Sequence, residues 1–175
     1  MIIDTHLKNC RLRPWRPEDK GDLQRNGNNR KVWLNLTDLF PSPYTAADAD
    51  FWISQANEPS SNIHLTIEVE GKSAGGIGII TGEGISARTG QFGYWLGEDY
   101  WGKGIATSSA KALIGFVRSH MSFARLEASV FEWNPASMRV LEKTGFVQEC
   151  VRKRSVFKDG KLIDSMMYVL LTEIS

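Results

Sequence analysis

The stretch from Gln91 to Phe131 constrains the fold more than any other, because an aromatic strand runs through Gly102-Lys103-Gly104 into a helix and then into a second strand. Between Gly104 and Ser119, the residues Ile105, Ala106, Ala110, Leu113, Ile114 and Val117 recur at helical spacing. Between Arg125 and Phe131, Leu126, Ala128 and Val130 alternate with Glu127, Ser129 and Phe131, the period of a strand. A strand, a helix and a strand in that order predict a parallel pair joined by a crossover. The turn predicts more than geometry. The first amides of a helix lack helical acceptors and sit at its positive end, and glycines there let backbone approach a pyrophosphate closely. The backbone amides of Gly102, Lys103, Gly104, Ile105, Ala106 and Thr107 are the expected donors.

The flanking sequence predicts how this unit is completed. Leu7 to Trp15 reads as a first strand stopped by Pro14 and Pro17, and Pro17-Glu18-Asp19 reads as the start of a short helix. After the turn at Pro41 and Pro43, Thr45 is placed to cap a helix through Ala46, Asp48, Phe51, Trp52 and Ile53. Ile63, Leu65, Ile67 and Val69 alternate with His64, Thr66, Glu68 and Glu70, which predicts a strand with one buried face. Gly71-Lys72 then turns the chain into a strand from Ser73 to Thr81, and Gln91 to Leu96 follows as a third, giving an antiparallel meander. Asn134-Pro135 is an N-cap followed by a first-turn proline, and Gly145 suits the end of that helix. Val147–Phe157 and Leu162–Leu171 flank Asp159-Gly160, a hairpin turn signal. The sum is an α+β fold on a mixed, mostly antiparallel sheet flanked by helices.

Composition narrows the function classes. A chain of 175 residues, 42% hydrophobic and 23% charged, is expected to form one domain over 1–175. With 21 Lys and Arg against 20 Asp and Glu, the net charge of +1 argues against nucleic acid or an anionic membrane as a partner. Cys10 and Cys150 match neither a CxxC pair nor a zinc spacing, and the amino-terminal residues lack the apolar core of a signal peptide, so a cytoplasmic setting and no metal are expected.

Two phosphate motifs come close to the glycine turn without fitting. Gly97-x4-Gly102-Lys103 is nearly a Walker A loop, but Gly104 stands where a magnesium-binding Ser or Thr is needed. Gly102-x-Gly104-x-x-Thr107 lacks the last glycine of a dinucleotide fingerprint. A turn whose glycines serve chain geometry alone is the plainer alternative. Trp101-Gly-Lys-Gly104-Ile-Ala106, however, resembles the Q/R-x-x-G-x-G/A turn by which GNAT N-acetyltransferases hold acetyl-CoA, with Trp101 in place of the usual Gln or Arg. Tyr-Trp-Gly-Lys-Gly is common in the branch resembling ribosomal-protein-alanine N-acetyltransferases (RimJ/RimL-like). Asn134-x-x-Ser137 followed by Glu142-Lys143-Thr-Gly145-Phe146 looks like that branch's next helix and strand, so the resemblance covers nearly the whole chain.

The resemblance implies a sheet splayed between the Phe92–Leu96 strand and the Arg125–Phe131 strand, with acetyl-CoA in the gap. Backbone groups near Tyr94, Trp95 and Leu96 would pair the pantetheine, and Trp101 would belong to the turn. Asn134 would contact the cofactor or simply cap its helix, while Lys103, Arg139 and Lys143 would meet phosphates or solvent. Amine acetylation needs a neutral amine and a proton for the departing thiolate. The family's frequent tyrosine acid would fall at Leu141, which excludes it, so Ser137 is the first choice of acid, against a serine that bonds its own helix. The branch often has Glu where Gln91 stands. His64 is therefore the substitute base, with Glu98, Glu132 or water as weaker ones. Trp33, Phe40, Tyr44, Phe51, Trp52 and Trp133 are either an acceptor wall or core. A protein N-terminus, amino acid, polyamine or antibiotic all suit such an enzyme as acceptor. A CoA-binding sensor without turnover is the rival suggested by Gln91 and Leu141, and the sequence does not choose between a monomer and a homodimer.

Overall fold

The computed structural model describes residues 1–172. Eight strands form one sheet: β1 (Ile3–Asp4), β2 (Cys10–Arg13), β3 (Ile63–Val69), β4 (Lys72–Thr81), β5 (Thr89–Leu96), β6 (Arg125–Phe131), β7 (Val147–Lys158) and β8 (Lys161–Leu171). Their order across the sheet is β1-β2-β3-β4-β5-β6-β8-β7. The β5–β6 pair is parallel and the remaining pairs are antiparallel, as the crossover and meander predict. Five α-helices accompany them among the described residues: α1 (Lys20–Gly27), α2 (Arg30–Trp33), α3 (Ala46–Ala56), α4 (Ile105–His120) and α5 (Pro135–Lys143). None is long and apolar enough to cross a membrane.

Local chemistry explains most boundaries. Thr45 and Asp48 cap α3 reciprocally, and the Asn134 side chain accepts from the Ser137 amide at 3.1 Å to start α5. Gly145, at φ +92°, ends that segment in a backbone conformation other residues rarely adopt. The first strand is shorter than expected. Asn9, at φ +60°, and a bond from the Cys10 amide to the Leu7 carbonyl make a turn of Leu7–Asn9, so only Cys10–Arg13 joins β3.

The sheet separates two cores. Leu65, Ile77, Phe92, Leu113, Ile114, Val117 and Leu126 pack beneath α4, whereas Trp15, Leu23, Tyr44, Ala49 and Ile53 pack on the opposite side, with Phe40, Trp52 and Trp95 against them. This second layer corrects the expectation of a half-exposed β3. Thr66 and Glu68, read as its polar face, are buried under the second layer. Thr66 is satisfied by the Ser73 hydroxyl at 2.6 Å and the Gly75 carbonyl at 3.0 Å, and Glu68 by Arg11 at 2.6 Å and by Arg13. Arg13 completes the cluster by gripping both oxygens of Asp19 at 2.7 Å. Buried charges survive in this way, each paired and hydrogen-bonded.

Candidate active site

The site is built where strand pairing fails. β5 and β6 pair through Thr89 with Arg125, Gly90 with Leu126 and Gln91 with Glu127, and no further. Beyond that point Phe92–Leu96 remains bonded only to β4, while Ala128–Phe131 remains bonded only to β8. The sheet therefore splays at the segment expected, and one edge of β5 is left open. An open strand edge is a template for any extended chain that carries amides.

That edge leads into the glycine turn. Gly102 and Gly104 take φ of +72° and +74°, and a Cβ added at either meets nothing within 4 Å. These glycines answer to backbone conformation and to open space, since there is no neighbour to avoid. Ser108 donates to the Gly104 carbonyl at 3.0 Å as the helical ladder of α4 begins, so the amides just before it sit at the positive end of a sixteen-residue helix. Gly102, Lys103 and Gly104 are exposed, whereas Ile105 anchors the first turn in the core and Ala106 and Thr107 are half-buried. Trp101 turns its indole back so that Nε1 donates to the Leu96 carbonyl at 2.9 Å, which pins the turn to the end of β5.

Register assigns the remaining candidates to faces. Leu65, Ile77 and Tyr94 are successive partners and share the α4 side, whereas His64, Gly78 and Gly93 share the other. The Tyr94 hydroxyl lies 2.9 Å from Ser137 Oγ on α5, forty-three residues away in sequence, which closes a bridge across the splay. Burial raises the Tyr94 pKa, and the Ser137 bond opposes this only in part. Asn134 spends its carbonyl oxygen on the helix cap, which leaves its side-chain NH2 directed elsewhere. Leu141 is core, 1% exposed, so no hydroxyl comes from the next turn of α5.

His64 is half-buried, edge-on to Trp52 at 5.3 Å, and burial lowers its pKa, which keeps the ring neutral near pH 7. The structure does not gather His64 and Ser137 on one face; the gap of the splay lies between their two sides. Gln91 and Gly93 are exposed, and a Cβ added at Gly93 also meets nothing. Glu98 is no free base: Lys31 and Asn29 hydrogen-bond it and hold its carboxyl below the usual range. Lys103, Arg139, Lys143 and Glu132 are exposed and form no ion pair among the described residues.

Trp95 contributes only its backbone to the splay. Its indole covers Gly76 and meets Phe40 edge-on at 5.4 Å in the second core. The aromatic wall divides similarly: Tyr44 is core, Phe51 is exposed, and Trp33 is held between Arg30 and the Lys158 ammonium, 3.4 Å from its ring centroid. Ser137 and Tyr94 are both expected site residues, but their hydrogen bond to one another is not part of that expectation. The alternation that puts Tyr94 on the α4 side is visible in the sequence, but the distance to α5 is not.

A splayed mixed sheet with an open β5 edge, running through a glycine turn into a helix start, defines the acyltransferase architecture built around CoA thioesters. The acetyltransferase (GNAT) domain model matches residues 9–147, and the chain belongs to that family of N-acetyltransferases. Over 168 residues it is 24% identical to the SPbeta prophage-derived uncharacterized N-acetyltransferase YokL of Bacillus subtilis (strain 168), covering 95% of this chain and 92% of that one. Its fold is similar to RimL, a ribosomal L7/L12 alpha-N-protein acetyltransferase solved with coenzyme A, at a TM-score of 0.85 and 20% identity, covering 97% of this chain and 98% of that one. It is also similar to the microcin self-immunity acetyltransferase MccE solved with acetyl-CoA and AMP, at a TM-score of 0.81 and 21% identity, covering 94% and 93%.

Proposed function

We propose that the protein transfers an acetyl group from acetyl-CoA to a primary amine by direct attack in a ternary complex, with a protein N-terminal α-amine the first acceptor to test. The observation that carries this reading is the open edge of Phe92–Leu96 continuing into the exposed Gly102–Gly104 turn at the start of α4. It offers amide pairing for an extended arm and a cluster of donors for a pyrophosphate, in the order such a molecule requires.

Acetyl-CoA supplies an activated acyl group with a thiolate leaving group. Backbone groups of Tyr94 to Leu96 hold its amide-bearing arm, and the amides of Gly102, Lys103, Gly104, Ile105, Ala106 and Thr107 hold the phosphates. Lys103 and Arg139 add charge from the rim, and the Asn134 side-chain NH2 gives a further donor. An amide at the β5 edge polarises the acyl carbonyl. Ser137 donates to the departing sulfur, and His64, kept neutral by burial, takes the proton of the incoming amine.

A non-catalytic CoA-binding module is the second reading, favoured by Gln91 and by the buried Leu141 at two positions where the family places an acid and a tyrosine. The deciding experiment is acetyl-CoA-dependent thiol release against peptides with varied N-termini, amino acids, polyamines and aminoglycosides. The transferase reading expects release with at least one amine, and a Ser137→Ala variant that binds acetyl-CoA but turns over more slowly. Binding without release from any amine decides for the module.

A further inference from the structure

We propose that Tyr94 is a positioning residue for acetyl transfer, acting through Ser137 as the second hydroxyl of a two-proton relay. The inference rests on the transferase reading above and supplies what that reading lacks, a reason for a serine to work as an acid.

A serine hydroxyl carries one proton. When that proton is aimed into the cleft, its oxygen must accept a hydrogen bond from elsewhere, and inside a protein the missing partner is costly. The bonding around Ser137 leaves Tyr94 for this role. The Ser137 amide is taken by the Asn134 carbonyl oxygen at 3.1 Å, and Leu141, one turn further along α5, is an apolar core residue. The Tyr94 hydroxyl, 2.9 Å from Ser137 Oγ, is its side-chain partner across the splay. Tyr94 is also firmly placed. Its neighbour on β4 is Ile77, its ring lies 6.1 Å from that of Phe92, and Phe92 packs on Phe146, which follows α5. The phenol and the serine are thus joined by packing as well as by the hydrogen bond, and burial keeps the phenol protonated.

The proton balance closes. As the acyl C–S bond breaks, its electron pair goes to sulfur and the Ser137 proton follows; the Tyr94 proton passes to Ser137 Oγ. The phenolate regains a proton from solvent, and the proton shed by the attacking amine goes to His64 and from there to solvent. The Tyr94 side chain touches no reacting atom. It fixes the direction of the serine rotor and refills it.

The test compares wild type, Tyr94→Phe, Ser137→Ala and the double variant. Tyr94→Phe keeps the ring and its packing, so its acetyl-CoA KM is expected to stay near wild type while kcat falls by at least about tenfold. The double variant is expected to be no slower than Ser137→Ala alone, because the two hydroxyls act as one unit. Single-turnover rates in mixtures of light and heavy water are expected to curve as two transferred protons in wild type and to become linear in Tyr94→Phe, a change that loss of packing does not produce. A readout independent of turnover is the 13Cζ resonance of Tyr94, identified by its absence in Tyr94→Phe. It is expected to move in Ser137→Ala and on adding CoA to wild type. Wild-type turnover with kcat and proton inventory unchanged in Tyr94→Phe overturns the relay alone. An unmoved Tyr94 resonance in Ser137→Ala overturns the hydrogen bond itself. No thiol release by wild type from any amine overturns the transferase reading and the relay together.

Discussion

Strands β1 to β5 and strands β6, β8 and β7 form two arms of one sheet, yet they are stabilised differently. On the first arm β3 is covered on both faces and buries Thr66 and Glu68 among hydroxyl and guanidinium partners. On the second, β7 leaves nearly every residue exposed, and its ion pairs, such as Lys153 with Asp164 and Arg125 with Glu149, lie at the surface. The arms touch through three β5–β6 residue pairs and then part. The difference teaches that the first arm is braced from both sides at β3 and, through Trp95, at the far end of β5, while the second is held mainly by its single packed face. A ligand entering the splay meets the open edge of β5 on one side and β6 with α5 on the other.

The largest expected effect breaks the brace. Arg13→Met leaves buried Asp19 without a charged partner among the described residues and buried Glu68 with only Arg11, itself partly exposed. Removing one member of such a buried network costs about 3–5 kcal/mol, to be read from urea unfolding. A surface change on the second arm, Glu149→Gln, is expected to cost no more than about 1 kcal/mol. Acid sharpens the contrast. Burial works to raise the Glu68 carboxyl, but its bonds and charges with Arg13 and Arg11 outweigh this and hold it below the ordinary glutamate value. Its folded pKa is depressed, so its contribution is present above the unfolded value and is lost as pH falls through the folded one. In Arg13→Met burial acts with less opposition, and acid lability is expected to begin at a higher pH than in wild type.

Two glycines flank the open edge in different ways. At Gly90, inside the last paired stretch, a Cβ meets Ile79 at 2.7 Å, Leu126 at 2.9 Å and Phe123 at 3.1 Å. At Gly104, beyond the edge, a Cβ meets nothing but the backbone is left-handed. Gly90→Val is expected to destabilise by about 1–3 kcal/mol through overpacking where the arms join. Gly104→Val is expected to cost about 1–2 kcal/mol of conformational strain, yet to weaken acetyl-CoA binding by more than tenfold in calorimetry. Should Gly104→Val retain wild-type affinity, the phosphate assignment of the turn is wrong.

How much of this was legible in the sequence follows the same division. Elements fixed by local chemistry were readable: the alternation of β3, the helical spacing of α4, the Asn134 cap and the Asp159-Gly160 hairpin depend on residues within one turn of each other. The splay was readable through the resemblance carried by the glycine turn. What depends on distant partners was not. Glu68 read as a solvent-facing residue because Arg13 lies fifty-five positions away, and Glu98 read as a free carboxylate because Lys31 lies sixty-seven away. Helix α2, four residues long, is too short for any period to show. The Tyr94–Ser137 bond is of the same kind: each residue was singled out, and only the fold brings the two together.

The smallest expected effect concerns α2, which connects the two arms outside the sheet. Next to it Asn29 and Lys31 bind Glu98 at the end of β5, and Arg30 grips both oxygens of Asp159, at 2.7 and 2.8 Å, at the tip of the β7–β8 hairpin. Lys158 adds a buried contact from the same tip, with its ammonium over Trp33 and 2.6 Å from Asp38. If these contacts share the work equally, removing any one should loosen the second arm. Exposure argues otherwise: the Arg30 and Asp159 side chains are 65% and 35% exposed, against 2% for Lys158. Asp159→Asn is therefore expected to cost less than about 1 kcal/mol and to become indistinguishable from wild type at high salt, because water and ions screen the pair. Lys158→Met loses the cation over Trp33 and is expected to cost more, with little dependence on salt. Urea unfolding of both variants at low and high ionic strength separates the cases, and a salt-insensitive loss in Asp159→Asn would place the tie between the arms at the hairpin's surface rather than beneath it.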